Sequence, residues 1–167
     1  MKLRIAGIVN DSIVDGPGLR LTVFFQGCPY CCPGCHNPQT HDMEGGRETD
    51  TAELIALMDN NPLLDGLTLS GGEPFIQPEA ALVLARAAKA RGLNIWAYTG
   101  AAYEALLEKH DVATDALLTI CDVLVDGPFI LVQRSLDLSF RGSRNQRLID
   151  LEKTRQAGMV VERSDRG

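Results

Sequence analysis

The chain lacks any apolar run long enough to cross a membrane. A spanning helix needs roughly 18 to 20 such residues, and the best stretch, ALLTICDVLVDGPFILVQ, is broken by Asp122 and Asp126. The N-terminus, MKLRIAGIVNDS, lacks the uninterrupted apolar core of a secretory signal. An excess of positive charge is missing too. Twenty-two acidic residues against sixteen basic ones give a net charge of -6 and a pI near 5.0, which argues against general attraction to nucleic acid or to an anionic membrane. No internal repeat, low-complexity tract or interdomain linker is visible. Cysteine is scarce, five in 167 residues, and four of the five are crowded between positions 28 and 35. That is too few and too clustered for a disulfide-stapled secreted scaffold, so a soluble protein of the reducing cytoplasm is expected. At 45% hydrophobic content the chain can bury one substantial core, and residues 1–167 are expected to form a single domain.

Short apolar runs alternate with helical patterns. Strands are expected at 19–25, 67–69, 93–98 and 122–125, and they read as continuously apolar, as strands buried on both faces of a parallel sheet do. Asp50 and Glu53 form an approximate capping box before LIALM, a helix stopped at DNNP, and Pro78 opens another that Gly92 ends. The segment 101–118 holds one or two more helices with a break near KHDVAT, and IAGIVN adds a strand or hairpin arm. These βα repeats are too few for a complete eight-unit barrel, which needs about 250 residues and at least roughly 200. The expected fold class is therefore α/β, an open partial (βα) barrel of parallel strands shorter than a full TIM barrel. A doubly wound sheet is the alternative.

Unusual residues collect where strands end. GCPYCCPGC follows LTVFF, SGGEP follows LTL, YTG ends NIWA and DGP ends DVLV. In parallel α/β folds these ends share one face, where binding and catalysis gather. Cys28, Cys32 and Cys35 form C-x3-C-x2-C, with Cys31 as an extra thiol. A structural zinc site normally draws four ligands from two separated pairs. Here the second pair is missing, because Cys121 stands alone and adjacent Cys31 and Cys32 resist pointing the same way. An iron-sulfur cluster ranks above zinc, and three ligands to a four-iron cluster would leave one iron open for chemistry.

With these motifs in view, the sequence resembles the radical S-adenosylmethionine enzymes, and VDGPGLRLTVFFQGC is similar to the signature of their glycyl-radical-enzyme activases. GCHNPQT, SGGEPF, YTG, DVLVDGPF and FRGSRNQR extend the resemblance over about residues 8–150. It implies a 4Fe-4S cluster held by Cys28, Cys32 and Cys35, with S-adenosylmethionine on its open iron. Gly71, Gly72 and Glu73 then match the loop that receives the cofactor's amino group, with Tyr98, Thr99 and Asp126 nearby. Many members carry an aromatic residue before the third cysteine to contact adenine. Gly34 stands there in this chain, and His36 is the candidate alongside. Asp15, Gly16 and Arg20 become candidate partner contacts.

The implied activity is reductive cleavage of S-adenosylmethionine to form a glycyl radical on a separate protein. The implied partner is the catalytic subunit of an anaerobic ribonucleotide reductase, with flavodoxin or ferredoxin as electron donor and neither nucleic acid nor membrane involved. Two alternatives stay open: activation of another glycyl radical enzyme such as pyruvate formate-lyase, and a non-catalytic zinc or iron-sulfur binding module. Without the resemblance, RGSRNQR reads as a solvated turn, although Arg141, Arg144 and Arg147 would share a face if helical. At the C-terminus, MVV can dock as an edge strand while the polar end frays.

Overall fold

The computed structural model describes residues 1–163. Its elements run β1 (Lys2–Ser12), β2 (Arg20–Phe25), β3 (Arg47–Asp50), α1 (Thr51–Asn60), β4 (Gly66–Gly71), α2 (Pro78–Ala90), β5 (Asn94–Tyr98), α3 (Tyr103–Glu108), α4 (Val112–Ile120), β6 (Val123–Asp126), β7 (Arg147–Asp150) and α5 (Leu151–Ala157). The strands form one mixed sheet in the order β3-β1-β2-β4-β5-β6-β7. Its centre, β2-β4-β5-β6, is parallel, and the outer pairs are antiparallel. The parallel strands keep their chain order. A doubly wound sheet reverses order at a switch point and carries helices on both faces. Here α2 packs between α1 and α4, and α3 and α5 lie against α4, so the helices make one layer and the doubly wound alternative is overturned.

Strand parity explains the two faces. Leu21, Val23 and Phe25 of β2, Leu67 and Leu69 of β4, Ile95 and Ala97 of β5 and Leu124 of β6 join the helices in the main core. The alternate residues turn to the other face: Arg20 and Thr22, Thr68 and Ser70, Trp96 and Tyr98, Val123 and Val125. The strands are therefore not continuously apolar, as their hydropathy had implied. They alternate, because only one face meets helices and the other is partly polar.

Arg20 organises that second face. It has no exposed surface, and its guanidinium donates to Thr68 Oγ1 at 2.7 Å, Pro17 O at 2.8 Å, Leu67 O at 3.0 Å and both Asn94 oxygens at 3.1 Å. It thereby ties three neighbouring strands to the 13–18 loop. Burial pulls its pKa down to about 10, which still leaves it charged at neutral pH.

Caps set the helix starts. Asp50 accepts from Ala52 N at 2.9 Å, but Glu53 does not complete a capping box, since its carboxylate takes Thr49 Oγ1 at 2.6 Å instead. Asp111 accepts from Thr114 N at 2.9 Å and fixes the break between α3 and α4. The edge strands β3 and β7 and the helix α5 have no counterpart in the sequence reading. RGSRNQR is not helical, and Arg147 opens β7. Beyond α5 the chain returns along β7, with Asp150 N donating to Val161 O at 2.9 Å and Arg163 N to Leu148 O at 2.6 Å. The expected fraying lies outside the described residues. Among those residues, no helix is long and apolar enough to cross a membrane.

Candidate active site

A cavity of about 390 Å³ opens where the parallel strands end. Nine of the candidate site residues line it: Asp15, Cys28, Cys32, Cys35, His36, Gly71, Gly72, Tyr98 and Thr99. The cysteine loop is cinched at its base, where Gly27 N donates to Thr40 O at 2.7 Å and Cys28 N to His41 O at 3.2 Å. Buried Gln26 adds bonds from its amide to Gln39 O at 3.1 Å and Asp42 O at 2.7 Å. Within the loop Cys35 N donates to Cys32 O at 3.1 Å, and Asn37 N donates to Cys35 Sγ at 3.4 Å. Burial pushes the Cys28 thiol up, against backbone donors that pull it down. Cys31 points elsewhere: it is exposed, outside the cavity lining, and its thiol reaches Cys28 O at 3.6 Å.

All five thiols are free. Among the described residues, no three His, Cys, Asp or Glu side chains are arranged around a single metal ion. A tetrahedral zinc site needs four donors within about 2.3 Å of one centre. A polynuclear cluster is gripped at separate corners by individual thiolates, and Cys28, Cys32 and Cys35, all lining one cavity, are a donor set that suits it.

Gly71 and Gly72 let two strand ends touch. Gly71 has φ +97°, and a Cβ there would strike the backbone nitrogen of Phe25, while one at Gly72 would strike the carbonyl of Gly27. Gly72 N donates to Phe25 O at 2.9 Å and Glu73 N to Gly27 O at 2.8 Å. The pair thus packs against the cysteine-bearing strand end as well as facing the cavity. Glu73 lies behind that wall, 2% exposed. Its Oε1 accepts from Thr99 Oγ1 at 3.0 Å and Gly100 N at 2.8 Å, and its Oε2 from Phe75 N at 3.1 Å. Burial outweighs these donors and pushes its pKa up to about 7. In this geometry Glu73 braces two strand-end loops.

Asp126, Gly16 and Arg20 are not brought to the cavity surface. Parity puts Asp126 with Leu124 on the helix face, where it accepts from Tyr103 N at 2.8 Å and pairs with Arg147, Nε to Oδ1 at 3.0 Å and Nη2 to Oδ2. Asp126 and Glu104 together push the Arg147 guanidinium further up. Gly16 is buried against the Arg20 side chain. Asp15 reaches the cavity, with Oδ2 accepting from Ser12 Oγ at 2.6 Å and Thr22 Oγ1 at 3.2 Å.

Sequence reasoning missed a strap, residues 128–146, that leaves β6 and passes beside the cavity before β7. It contributes Phe129, Leu136 and Phe140 to the lining. Its two ends are buckled by GSRNQ: Asn145 Nδ2 donates to Pro128 O at 2.7 Å, Gln146 Nε2 to Gly127 O at 3.1 Å, and Gln146 Oε1 accepts from Gly142 N at 2.9 Å and Ser143 N at 3.2 Å. Tyr98 Oη anchors it further by donating to Phe140 O at 2.6 Å. The signal was the polar turn RGSRNQR, whose amides and hydroxyl satisfy backbone groups rather than solvent. Tyr30, also missed, lines the cavity with its ring against Gly100.

The family model of the 4Fe-4S single cluster domain matches residues 14–149. The chain is 36% identical over 142 residues to the anaerobic ribonucleoside-triphosphate reductase-activating protein of Vibrio cholerae, covering 80% of this chain and 89% of that protein. It is 35% identical to the Escherichia coli protein of the same name, over 80% and 90% of the two chains. To the pyruvate formate-lyase-activating enzyme of Clostridium pasteurianum it is 39% identical over 133 residues, covering 74% of this chain but only 55% of that enzyme. The chain thus spans about half of the latter relative and nearly all of the former two. A cysteine-lined cavity at parallel strand ends and these matches together place the chain in the 4Fe-4S single cluster domain family, among the radical S-adenosylmethionine activases of glycyl radical enzymes.

Proposed function

We propose that this protein installs a glycyl radical on the catalytic subunit of anaerobic ribonucleoside-triphosphate reductase. The observation that carries the reading is the convergence of C-x3-C-x2-C, SGGEP and YTG on one cavity. When bound, the four-iron cluster and S-adenosylmethionine supply the electron and the radical that removes one hydrogen atom from a backbone glycine. Cys28, Cys32 and Cys35 would hold the cluster, and the Asn37 N–H on Cys35 Sγ helps to orient that side chain. Gly71, Gly72 and Thr99 receive the cofactor's polar end, and Glu73 fixes their loops relative to each other. The strap walls one side against water. No side chain has to act as a general base.

In this reading the chain is a single activase domain, and its singly wound sheet is an open section of a (βα) barrel. A partner's loop enters at the open side, past Asp15, with Arg20 and Gly16 contributing from within by fixing the 13–18 loop that carries Asp15. The electron comes from flavodoxin or ferredoxin. The chain works in the cytoplasm, a reading that five unpaired thiols support.

The second reading, activation of pyruvate formate-lyase, draws on the 39% identity to that activating enzyme. Coverage of the relatives' full length favours the first. The deciding experiment is anaerobic reconstitution with iron and sulfide, reduction with S-adenosylmethionine and chromatography for 5'-deoxyadenosine. Electron paramagnetic resonance then tests each purified partner for a glycyl radical. Product with the reductase subunit supports the reading. An intact, reducible cluster that forms no 5'-deoxyadenosine overturns it.

A further inference from the structure

The cavity is chemically two-sided. One wall carries thiols, Ser70, the two glycines and Thr99, and the strap side brings the cavity's hydrocarbon and rings, Phe129, Leu136, Leu138 and Phe140, interleaved with the polar Arg134, Ser135, Arg141 and Gln146. A cofactor with a charged amino-acid end and a flat purine has to seat those parts on matching walls. Two of the cavity-lining aromatic rings are held by the protein itself: Tyr98 is tied through its hydroxyl to Phe140 O, and Phe140 stands edge-on to Trp96 with ring centroids 5.1 Å apart. Tyr30 has one side against Gly100 and is 38% exposed, with no ring partner from the opposite wall among the described residues. Phe129 differs, because its ring partner is another cavity residue: the centroids of His36 and Phe129 are 5.2 Å apart at a tilt of 50°. The cysteine loop is poorly placed to supply a side chain of its own at position 34, since φ there is +75°, in the left-handed region that favours glycine, and a Cβ would also displace Leu131 Cδ1 of the strap, 2.7 Å away. The buckle also shapes this wall, because a Cβ on Gly142 would lie 2.9 Å from Phe129 Cδ2 and 3.5 Å from His36 Cε1.

Resting on the function proposed above, we infer that Phe129 of the strap, supported by His36, is the stacking platform for the purine of S-adenosylmethionine. The platform thus comes from the segment after β6, while the metal-binding loop contributes only its edge. Stacking of a base on an aromatic side chain is sensitive to removal of the ring and tolerant of a change of ring.

The test uses the full chain, reconstituted anaerobically, in four forms: wild type, Phe129→Leu, Phe129→Tyr and Tyr30→Leu. Calorimetry measures binding of S-adenosylhomocysteine and of 5'-deoxyadenosine, which keeps the purine without the amino-acid end. Phe129→Leu is expected to weaken both ligands about tenfold, with iron content and thermal midpoint unchanged. Phe129→Tyr should stay within about twofold of wild type. The assignment is overturned if Phe129→Leu binds like wild type, if Phe129→Tyr fails to restore binding, or if Tyr30→Leu carries the loss instead. A wild-type protein with an intact cluster that binds neither ligand overturns the proposed function as well, so the two failures are distinct.

Discussion

Replacing Cys28, Cys32 or Cys35 with alanine should abolish stable iron binding after reconstitution, because each grips its own corner of the cluster and no spare thiol lines the cavity. Cys31→Ala should retain iron close to the wild-type content, since its side chain faces away. Colorimetric iron analysis checks both, and a Cys31 variant devoid of iron would reverse the ligand assignment. Glu73 carries a pH signature. Its folded pKa of about 7 lies above the ordinary 4.5, so below about pH 4.5 the carboxyl is neutral whether folded or not and costs nothing. As pH rises from there toward 7 the unfolded chain gives up the proton while the folded one keeps it, and stability falls by about 3 kcal/mol in total. Glu73→Gln should flatten that decline in urea unfolding of the metal-free protein between pH 5 and 8. It should also cost one hydrogen bond, because the amide NH₂ opposes Phe75 N–H. The role of Glu73 was only half legible in the motif: the residue could be found, but its burial depends on the neighbouring loop at Thr99 and Gly100.

At the scale of elements, the strap stands or falls with its buckle. Gln146→Ala removes an acceptor from two backbone N–H groups and a donor from Gly127 O. A loss of roughly 1–3 kcal/mol is expected locally. Hydrogen exchange should show faster opening across 128–142 while β2, β4 and β5 keep their protection. The central strands and capped helices were readable because local signals sufficed: apolar β-type runs, Asp50, Pro78 and Gly92. The four-residue strands β3 and β7 were not. RETD and RLID offer little hydrophobic pattern, and they become strands only because β1 and β6 present unpaired edges from far along the chain. Asp126 shows a different failure. The run Val123–Asp126 already assigns it by alternation to the side of Leu124, yet strand-end position was read without strand parity. Likewise the turn chemistry of RGSRNQR was visible, but its targets at Gly127 and Pro128 exist only once the strap has closed.

For the molecule as a whole, one residue joins the parts. Arg20→Met should destabilise the fold by roughly 2–4 kcal/mol in urea unfolding, because Asn94 Oδ1, Thr68 and Pro17 O lose a charged donor in a dry setting. A comparable loss in Arg20→Lys would show that charge alone does not replace the planar fork. The face that Arg20 organises also holds the chain's single tryptophan. Trp96 is fully buried, its ring nitrogen has no hydrogen-bond partner among the described residues, and the guanidiniums of Arg20 and Arg163 lie 5.8 and 5.4 Å from its ring. It stands two residues, about 7 Å, from Tyr98 in the cavity wall. The protein therefore has a built-in optical probe: one emitter, in one environment, whose fluorescence reports on closure of the sheet and on the C-terminal return, and which lies near enough to the cavity for a coloured cofactor to quench it without any engineered label.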